Sequence, residues 1–283
     1  MSELQGDYDI HNPDVVSAID DLPLWSAPFG LKLLDVVKLG RNMRALDIGS
    51  GLGFPIVDLS QRLGATCDVY GIDPWIEAVE RTRLKIRTWG IRNLTIVEGT
   101  AESMPFDDAF FDLITSNNGT NNTNDERQTF REIVRVAKPG AQVVFTVNLP
   151  DTMIEFYRVF RDVLRGRGLL AELERVDHHI HEKRKPLPHV IEVAEGAGLE
   201  IANVYEDAFA FRFTDAAAMF DHFTMKLAFI DGWKSALKPE DVTSVFKEVA
   251  GIMDDAARKD GEIRLTIPWV CVDARKPARA APL

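Results

Sequence analysis

The sequence predicts an α/β protein: a doubly wound, mostly parallel sheet of seven strands, with a helical cap. Three observations lead there. Short apolar runs alternate with helical patterns from Met43 to Asn148, the pattern of right-handed crossovers joining parallel strands. The runs are apolar without in–out alternation, as strands covered on both faces require. A glycine-dense turn, Gly49-Ser50-Gly51-Leu52-Gly53, follows the first run directly and leads into a helical pattern.

Arg44 to Ile48 is the first strand. Phe54 to Leu63 reads as a helix with Pro55 in its first turn, where a missing N–H costs nothing. CDVYGID is the second strand, followed by a helix from Trp75 to about Thr88; LTIVEG and FDLITS are the third and fourth strands. Glu126 to Ala137 is amphipathic, with Phe130, Ile133, Val134 and Ala137 on one helical face. Lys138-Pro139-Gly140 stops that helix, and AQVVFTVNL is the fifth strand.

Beyond Pro150 the rhythm loosens. Met153, Phe156, Phe160 and Leu164 mark a helix ending at the Gly166–Gly168 turn, and Pro186 to Gly196 forms another. EIANVYEDAFAFRF is a strand with Phe209, Phe211 and Phe213 on one face. Two helices follow, one N-capped by Asp215 and one over about Glu240 to Ala257, before EIRLTIPWVCVDA closes the sheet. Residues 1–42 are expected to cover a cofactor, 43–150 to form its binding core, and 151–283 to complete the sheet and carry the cap, all in one domain. The segment between Phe213 and Glu262 carries Phe220, Phe223, Phe229, Ile230 and Trp233. Such apolar surface needs cover, and the carboxyl edge of the sheet is the nearest candidate. With the helix near Phe156, this segment is expected to roof an enclosed acceptor pocket.

At 283 residues, 46% hydrophobic and 27% charged, the chain can bury a substantial core. A net charge of -11 argues against nucleic acid, whose binding rests on neutralising phosphates. Cys67 and Cys271 stand in apolar runs and make no disulfide framework or metal spacing. The N-terminal MSELQGDYDIHNPD lacks the basic and apolar regions of a signal peptide. No apolar segment approaches the ~20 residues of a membrane span, so a cytoplasmic protein with no membrane partner is expected. Nothing in the pattern speaks to oligomeric state.

Two cofactor classes use a glycine turn of this kind. The dinucleotide pattern G-x-G-x-x-G wants glycine where this chain has Phe54; here the glycines are Gly49, Gly51 and Gly53, with Asp47 ahead of them. Asp73 ends the second strand and can accept hydrogen bonds from both hydroxyls of a ribose. An NAD site would use such an acid too. The later segments discriminate. EGTAESMPF after the third strand, FDLITS, and EIVRVAKPGAQVVFTVN entering the fifth together resemble the class I S-adenosylmethionine-dependent methyltransferases of the small-molecule type, over roughly Met43 to Asn148.

That resemblance implies a Rossmann-like methyltransferase fold, S-adenosyl-L-methionine as cofactor, and methyl transfer to O, N, S or C of a small molecule. It implies that Gly49, Ser50, Gly51 and Gly53 admit the methionine moiety, with Asp47 holding the loop and possible partner of the amino group. Asp73 would bind the ribose, Pro74 and Trp75 would flank the adenosine, Ala101 would meet the adenine edge, and Asn117 and Asn118 would lie beside the methyl donor. Two departures stand out: Thr100 replaces a usual aspartate, leaving its hydroxyl or Glu102 for the adenine amino group, and asparagines fill SNNGTNNTND.

In that run Asn121 and Asn122 are candidate substrate contacts; the alternative is a polar, helix-capping loop. Trp25 either closes over the site or packs the first helix with Phe29. HHIHEKRK lacks a metal-ligand spacing. It is expected to be a solvated loop or edge with Lys183, Arg184 and Lys185 facing water, or to rim the substrate mouth, with His181 the candidate general base. The rival functions are a cofactor-binding sensor or subunit without turnover, and an NAD-dependent oxidoreductase, which Phe54 disfavours.

Overall fold

Each apolar run of the first half becomes a strand in the computed structural model, which describes residues 8–278. The strands are β1 (Arg44–Ile48), β2 (Asp68–Asp73), β3 (Leu94–Glu98), β4 (Phe111–Asn117), β5 (Ala137–Asn148), β6 (Glu200–Phe213) and β7 (Ile263–Arg275). They form one seven-stranded sheet in the order β3-β2-β1-β4-β5-β7-β6. β1 pairs in parallel with β2 and β4, and β7 runs antiparallel to β5. The order reverses between β1 and β4, and α/β sheets bind ligands outside the carboxyl ends of strands at such a switch point.

The helices of the first half are α1 (Pro13–Asp21), α2 (Ala27–Val36), α3 (Ile56–Leu63), α4 (Ile76–Trp89) and α5 (Glu126–Val136). Asn12 caps α1 by accepting from the Asp14 N–H, and Asp125 caps α5 by accepting from the Gln128 N–H. They are followed by α6 (Ile154–Gly166), α7 (Leu170–Lys183), α8 (Leu187–Gly196), α9 (Ala216–Asp221), α10 (Phe223–Ala228), α11 (Ile230–Ser235) and α12 (Pro239–Asp260).

Three local expectations change. Lys138-Pro139-Gly140 does not precede β5 but lies inside it: Ala137 pairs with Phe111, and the register shifts before Leu113 pairs with Gln142. The first six residues of HHIHEKRK are the end of helix α7, not a loop, and Arg184 is its C-cap. Its apolar positions Val176 and Ile180 are buried, a helical spacing hidden among the charges. Finally, the segment after Asp215, which does cap α9 through the Ala218 N–H, holds four helices rather than two.

The chain divides into two compact units, with β6 and β7 running through both. One comprises 10–148, 186–207 and the chain from 269 on. Its core is the sheet, with Leu46, Phe111, Leu113, Ile114, Val144 and Phe145 fully buried. The other comprises the residues up to 9, 149–185 and 208–268. There Phe156 stacks on Trp233 with centroids 3.9 Å apart, and Phe160, Phe220 and Phe246 complete the cluster. The Trp233 indole donates to the Tyr157 hydroxyl at 3.0 Å. Phe220 and Trp233, expected to need the sheet edge for cover, thus have aromatic cover within their own unit.

Gly119 is sterically fixed: a Cβ there would lie 2.3 Å from the Ile48 carbonyl oxygen. Gly119→Ala is therefore expected to lower the unfolding free energy by about 1–3 kcal/mol, the cost of overpacking. Gly166, a helical residue with open space around it, should instead gain roughly 0.5–1 kcal/mol as alanine. Urea denaturation of the two variants checks both signs.

Candidate active site

The site is built where β1 and β4 end. Asp47 sits beside Thr115 in register, and the threonine hydroxyl donates to its Oδ1 at 2.6 Å. Asp47 is 1% exposed. Burial pushes its carboxyl up to about 7, with Asp73 adding to the rise and the Thr115 hydrogen bond opposing it.

Past β1 the chain turns sharply. Gly49, Gly51 and Gly53 have φ of 70°, 48° and 99°, values L residues avoid. The Gly49 and Ser50 N–H groups donate to the Ile72 carbonyl. Asp73 holds the turn from β2: its Oδ2 accepts from the Gly51 N–H at 2.7 Å and its Oδ1 from the Trp75 N–H at 2.8 Å. Burial raises the Asp73 carboxyl as well, against those two hydrogen bonds. From α4, Thr82 donates to the Gly51 carbonyl and Lys85 to that of Leu52. Lys85 and Arg81 both also bind Asp20 of α1. Ahead of α1, the Ile10 carbonyl accepts from the Trp75 indole and His11 pairs with Glu77 at 2.6 Å. Ile10 and His11 therefore lie along the Trp75–Glu77 ridge; residues 1–7 of the expected covering segment are outside the described residues.

A second loop, after β4, meets the first backbone to backbone. A Cβ on Gly49 would lie 2.8 Å from the Gly119 Cα. Ser116 donates to the Ile48 carbonyl and accepts from the Thr120 N–H. Asn118 adopts a left-handed conformation, φ 58°, an uncommon state that concentrates at functional sites.

What singles this junction out is its unmet hydrogen bonding. Asp47 Oδ2, Ser50 Oγ, both amide atoms of Asn118, Thr120 Oγ1 and Asn121 Oδ1 are buried without partners. So is the indole N–H of Trp269, which pairs with Asn148 in the sheet. Each such group costs about 1–3 kcal/mol if nothing satisfies it, and native interiors rarely tolerate it. Their concentration on the two loops and the adjoining strand ends fits a polar ligand with both donors and acceptors. Gly51, where a Cβ would meet only the Gly49 carbonyl oxygen at 4.0 Å, keeps the backbone accessible there.

The expected site residues separate into two groups. Asp47, Gly49, Ser50, Gly51, Gly53, Asp73, Trp75 and Asn118 converge on the loops, and Asn121 joins them by donating to the Asn148 Oδ1 at 2.9 Å. Others are engaged in building the fold. The Asn117 amide donates to the Ser26 carbonyl and accepts from Thr146, tying α2 to the sheet. Asn122 donates to the Asn118 carbonyl. Glu102 Oε1 accepts from the Asn124 and Asp125 N–H groups, so that oxygen already serves the loop before α5. Pro74 and Thr100 are exposed and Ala101 is buried. Trp25 packs on Phe29 at 5.7 Å, and Phe29 on Trp269 at 5.2 Å. His181 belongs to the other unit, exposed on α7 with Nδ1 on the Asp177 carbonyl at 2.7 Å. Arg184, expected in water, is 4% exposed; the side chain of Lys183 lies outside the described residues.

Thr115, Thr120, Asn148 and Trp269 escape a reading of the sequence. Thr115 leaves a trace: a hydroxyl directly after the apolar pair Leu113-Ile114 of β4, though its register with Asp47 shows only in the sheet. Thr120, Asn148 and Trp269 leave none, because pairing and burial alone select them.

Asp47 makes a measurable prediction. Its folded carboxyl, at about 7, binds a proton that the unfolded chain releases near its ordinary value of 3.8. Its contribution to stability therefore falls as pH rises through that window and levels off above it. Asp47→Asn removes the slope. The variant should gain on the wild type by roughly 2–4 kcal/mol between pH 4 and pH 8, read from urea midpoints across that range. A gap that does not vary with pH would mean that Asp47 titrates normally.

Residues 46–145 match the methyltransferase domain family. The chain is 29% identical over 164 residues to a demethylmenaquinone methyltransferase of Anoxybacillus flavithermus, covering 56% of this chain and 69% of that one. It is 37% identical over 112 residues to the ubiquinone/menaquinone biosynthesis C-methyltransferase UbiE of Idiomarina loihiensis, covering 39% of this chain and 45% of the relative; the chain thus spans less than half of that relative's length. The YcgJ protein of Bacillus subtilis shares the fold, with a TM-score of 0.56 at 18% identity over 89% of this chain and 98% of that one. Domain match and relatives agree with the glycine loop, its two acids and the unmet polar groups around them: residues 46–145 form a methyltransferase domain, similar to those of the quinone-pathway methyltransferases above.

Proposed function

We propose that the protein moves the methyl group of S-adenosylmethionine to a nucleophilic atom of a small molecule, with the cofactor held by the loops after β1 and β4. The observation that carries this is the set of buried, unpartnered polar atoms on those loops, Asp47 Oδ2, Ser50 Oγ and the Asn118 amide among them.

When bound, the cofactor supplies a methyl carbon activated by a positively charged sulfur. The rest is the work of the chain. Asp73, already fixed by the Gly51 and Trp75 N–H groups, keeps lone pairs for the two ribose hydroxyls. Asp47 and the backbone of Gly49–Gly53 suit a cationic amino-acid moiety, whose charge would favour ionised Asp47. Trp75 and Ala101 would meet the adenine, and Asn118, Thr120 and Asn121 would face the acceptor. Holding donor and acceptor in line can supply roughly 7–11 kcal/mol of barrier reduction at best. A base is needed only for an acceptor that is protonated at working pH.

The net charge of -11 supports a small acceptor over nucleic acid. An NAD site fits less well: Phe54, where a dinucleotide loop wants glycine, packs against α2 so closely that a Cβ on Gly30 would lie 2.3 Å from its ring. Among the described residues no helix is long and apolar enough to cross a membrane.

Calorimetry with S-adenosylmethionine, its demethylated product and NAD tests the cofactor half. The first two should bind and NAD should not. Asp73→Ala should weaken binding by about 2–4 kcal/mol, because it removes charge-assisted hydrogen bonds and loosens the loop. Incubation with methyl-labelled donor and a metabolite extract, with demethylmenaquinone as one defined acceptor, tests the other half. Label should appear in a small molecule. Label only in RNA or protein would contradict the proposal.

A further inference from the structure

We propose that Arg184 is the recognition point for an oxyanion, the carboxylate or phosphate of a small organic acid bound within its own unit.

Arg184 closes α7, its N–H donating to the Ile180 carbonyl. Its guanidinium lies over two aromatic rings of the same unit, 5.4 Å from the Tyr157 centroid and 6.0 Å from that of Phe229. The residue is 4% exposed, and its Nη1 is buried without any acceptor. Nor does it join any ion pair among the described residues.

Its neighbours in sequence show how unusual this is. Arg161, Arg167 and Arg175 have side chains 20%, 30% and 46% exposed, and each pairs with an acid: Asp177, Glu248 and Glu172. Among the described residues the more buried arginine is the one without a counter-ion. A guanidinium cannot shed its proton at any ordinary pH, and removing an unpaired charge from water is costly. The two rings offset part of that cost by facing the cation. They do nothing for the buried Nη1, which needs an acceptor. A fork of donors in one plane fits a carboxylate or phosphate through two parallel hydrogen bonds, and the flanking rings suit an acid with an apolar body.

The competing account is structural: Arg184 as a strut, stabilising an aromatic core by cation–π contact alone. The two accounts differ in measurable ways. The full-length protein would be titrated calorimetrically with benzoate and with phenyl phosphate, each against chloride at matched ionic strength, with S-adenosylmethionine titrated in parallel. Wild type should bind at least one of the two anions saturably, and which one identifies the acidic group. Arg184→Met should abolish that binding while leaving cofactor affinity within about twofold, and the unliganded variant should melt no lower than wild type. Arg184→Lys, which keeps the charge but loses the fork, should weaken the anion at least tenfold; it also serves if Arg184→Met does not fold. Failure of wild type to bind either anion overturns the proposal, as does binding that survives both substitutions. An absent response to S-adenosylmethionine would instead overturn the methyltransferase reading, while the anion titrations still decide the role of Arg184.

Discussion

The site depends on one close approach. Gly119 comes so near the end of β1 that no side chain fits between it and the Ile48 carbonyl, while Gly49 meets the Gly119 backbone from the other side. Two loops are thereby pressed together at the point where the strand order reverses. Ser116 bridges them through the Ile48 carbonyl and the Thr120 N–H. Once the loops are in register, the remaining placements follow. Asp73 reaches Gly51, Asn118 is forced into a left-handed conformation, and Thr115 lands beside Asp47.

This arrangement leaves free energy unclaimed in the unliganded protein. Burial raises the carboxyls of Asp47 and Asp73 above their ordinary range, and the nearby Asp73 adds to the rise at Asp47. Several amide and hydroxyl groups nearby have no partner. A fold selected for stability alone would replace them with apolar side chains. Their retention makes sense if a ligand with a positive charge, hydroxyls and an amino group satisfies them, and S-adenosylmethionine has all three. Arg184, in the other unit, poses the same problem with the opposite sign, a buried cation lacking an acid among the described residues, and so points to a ligand that brings a negative charge.

The sheet was largely legible because its signals are local. Apolar runs, the glycine turn and the spacing from Gly53 to Asp73 need no knowledge of what lies across the sheet. Where tertiary contacts decide, local signals mislead. Lys138-Pro139-Gly140 looks like a stop, yet the Gly140 N–H donates to the Lys276 carbonyl and the segment extends β5. HHIHEKRK looks solvated because its charges mask the Val176 and Ile180 stripe, and nothing local shows that Arg184 turns inward onto Tyr157. Within the site, glycines and acids could be named from residue type and spacing. The asparagines could not be sorted, because Asn117 and Asn122 differ from Asn118 and Asn121 only in what the fold places opposite them.

The account stands or falls on whether the two loops form a single cofactor cradle. Hydrogen–deuterium exchange by mass spectrometry, with and without saturating S-adenosylhomocysteine, addresses that most directly. Exchange should slow together in the peptides spanning Gly49–Gly53 and Asn118–Asn121. Unchanged exchange in both at saturation, or slowing confined to peptides elsewhere in the chain, would contradict it.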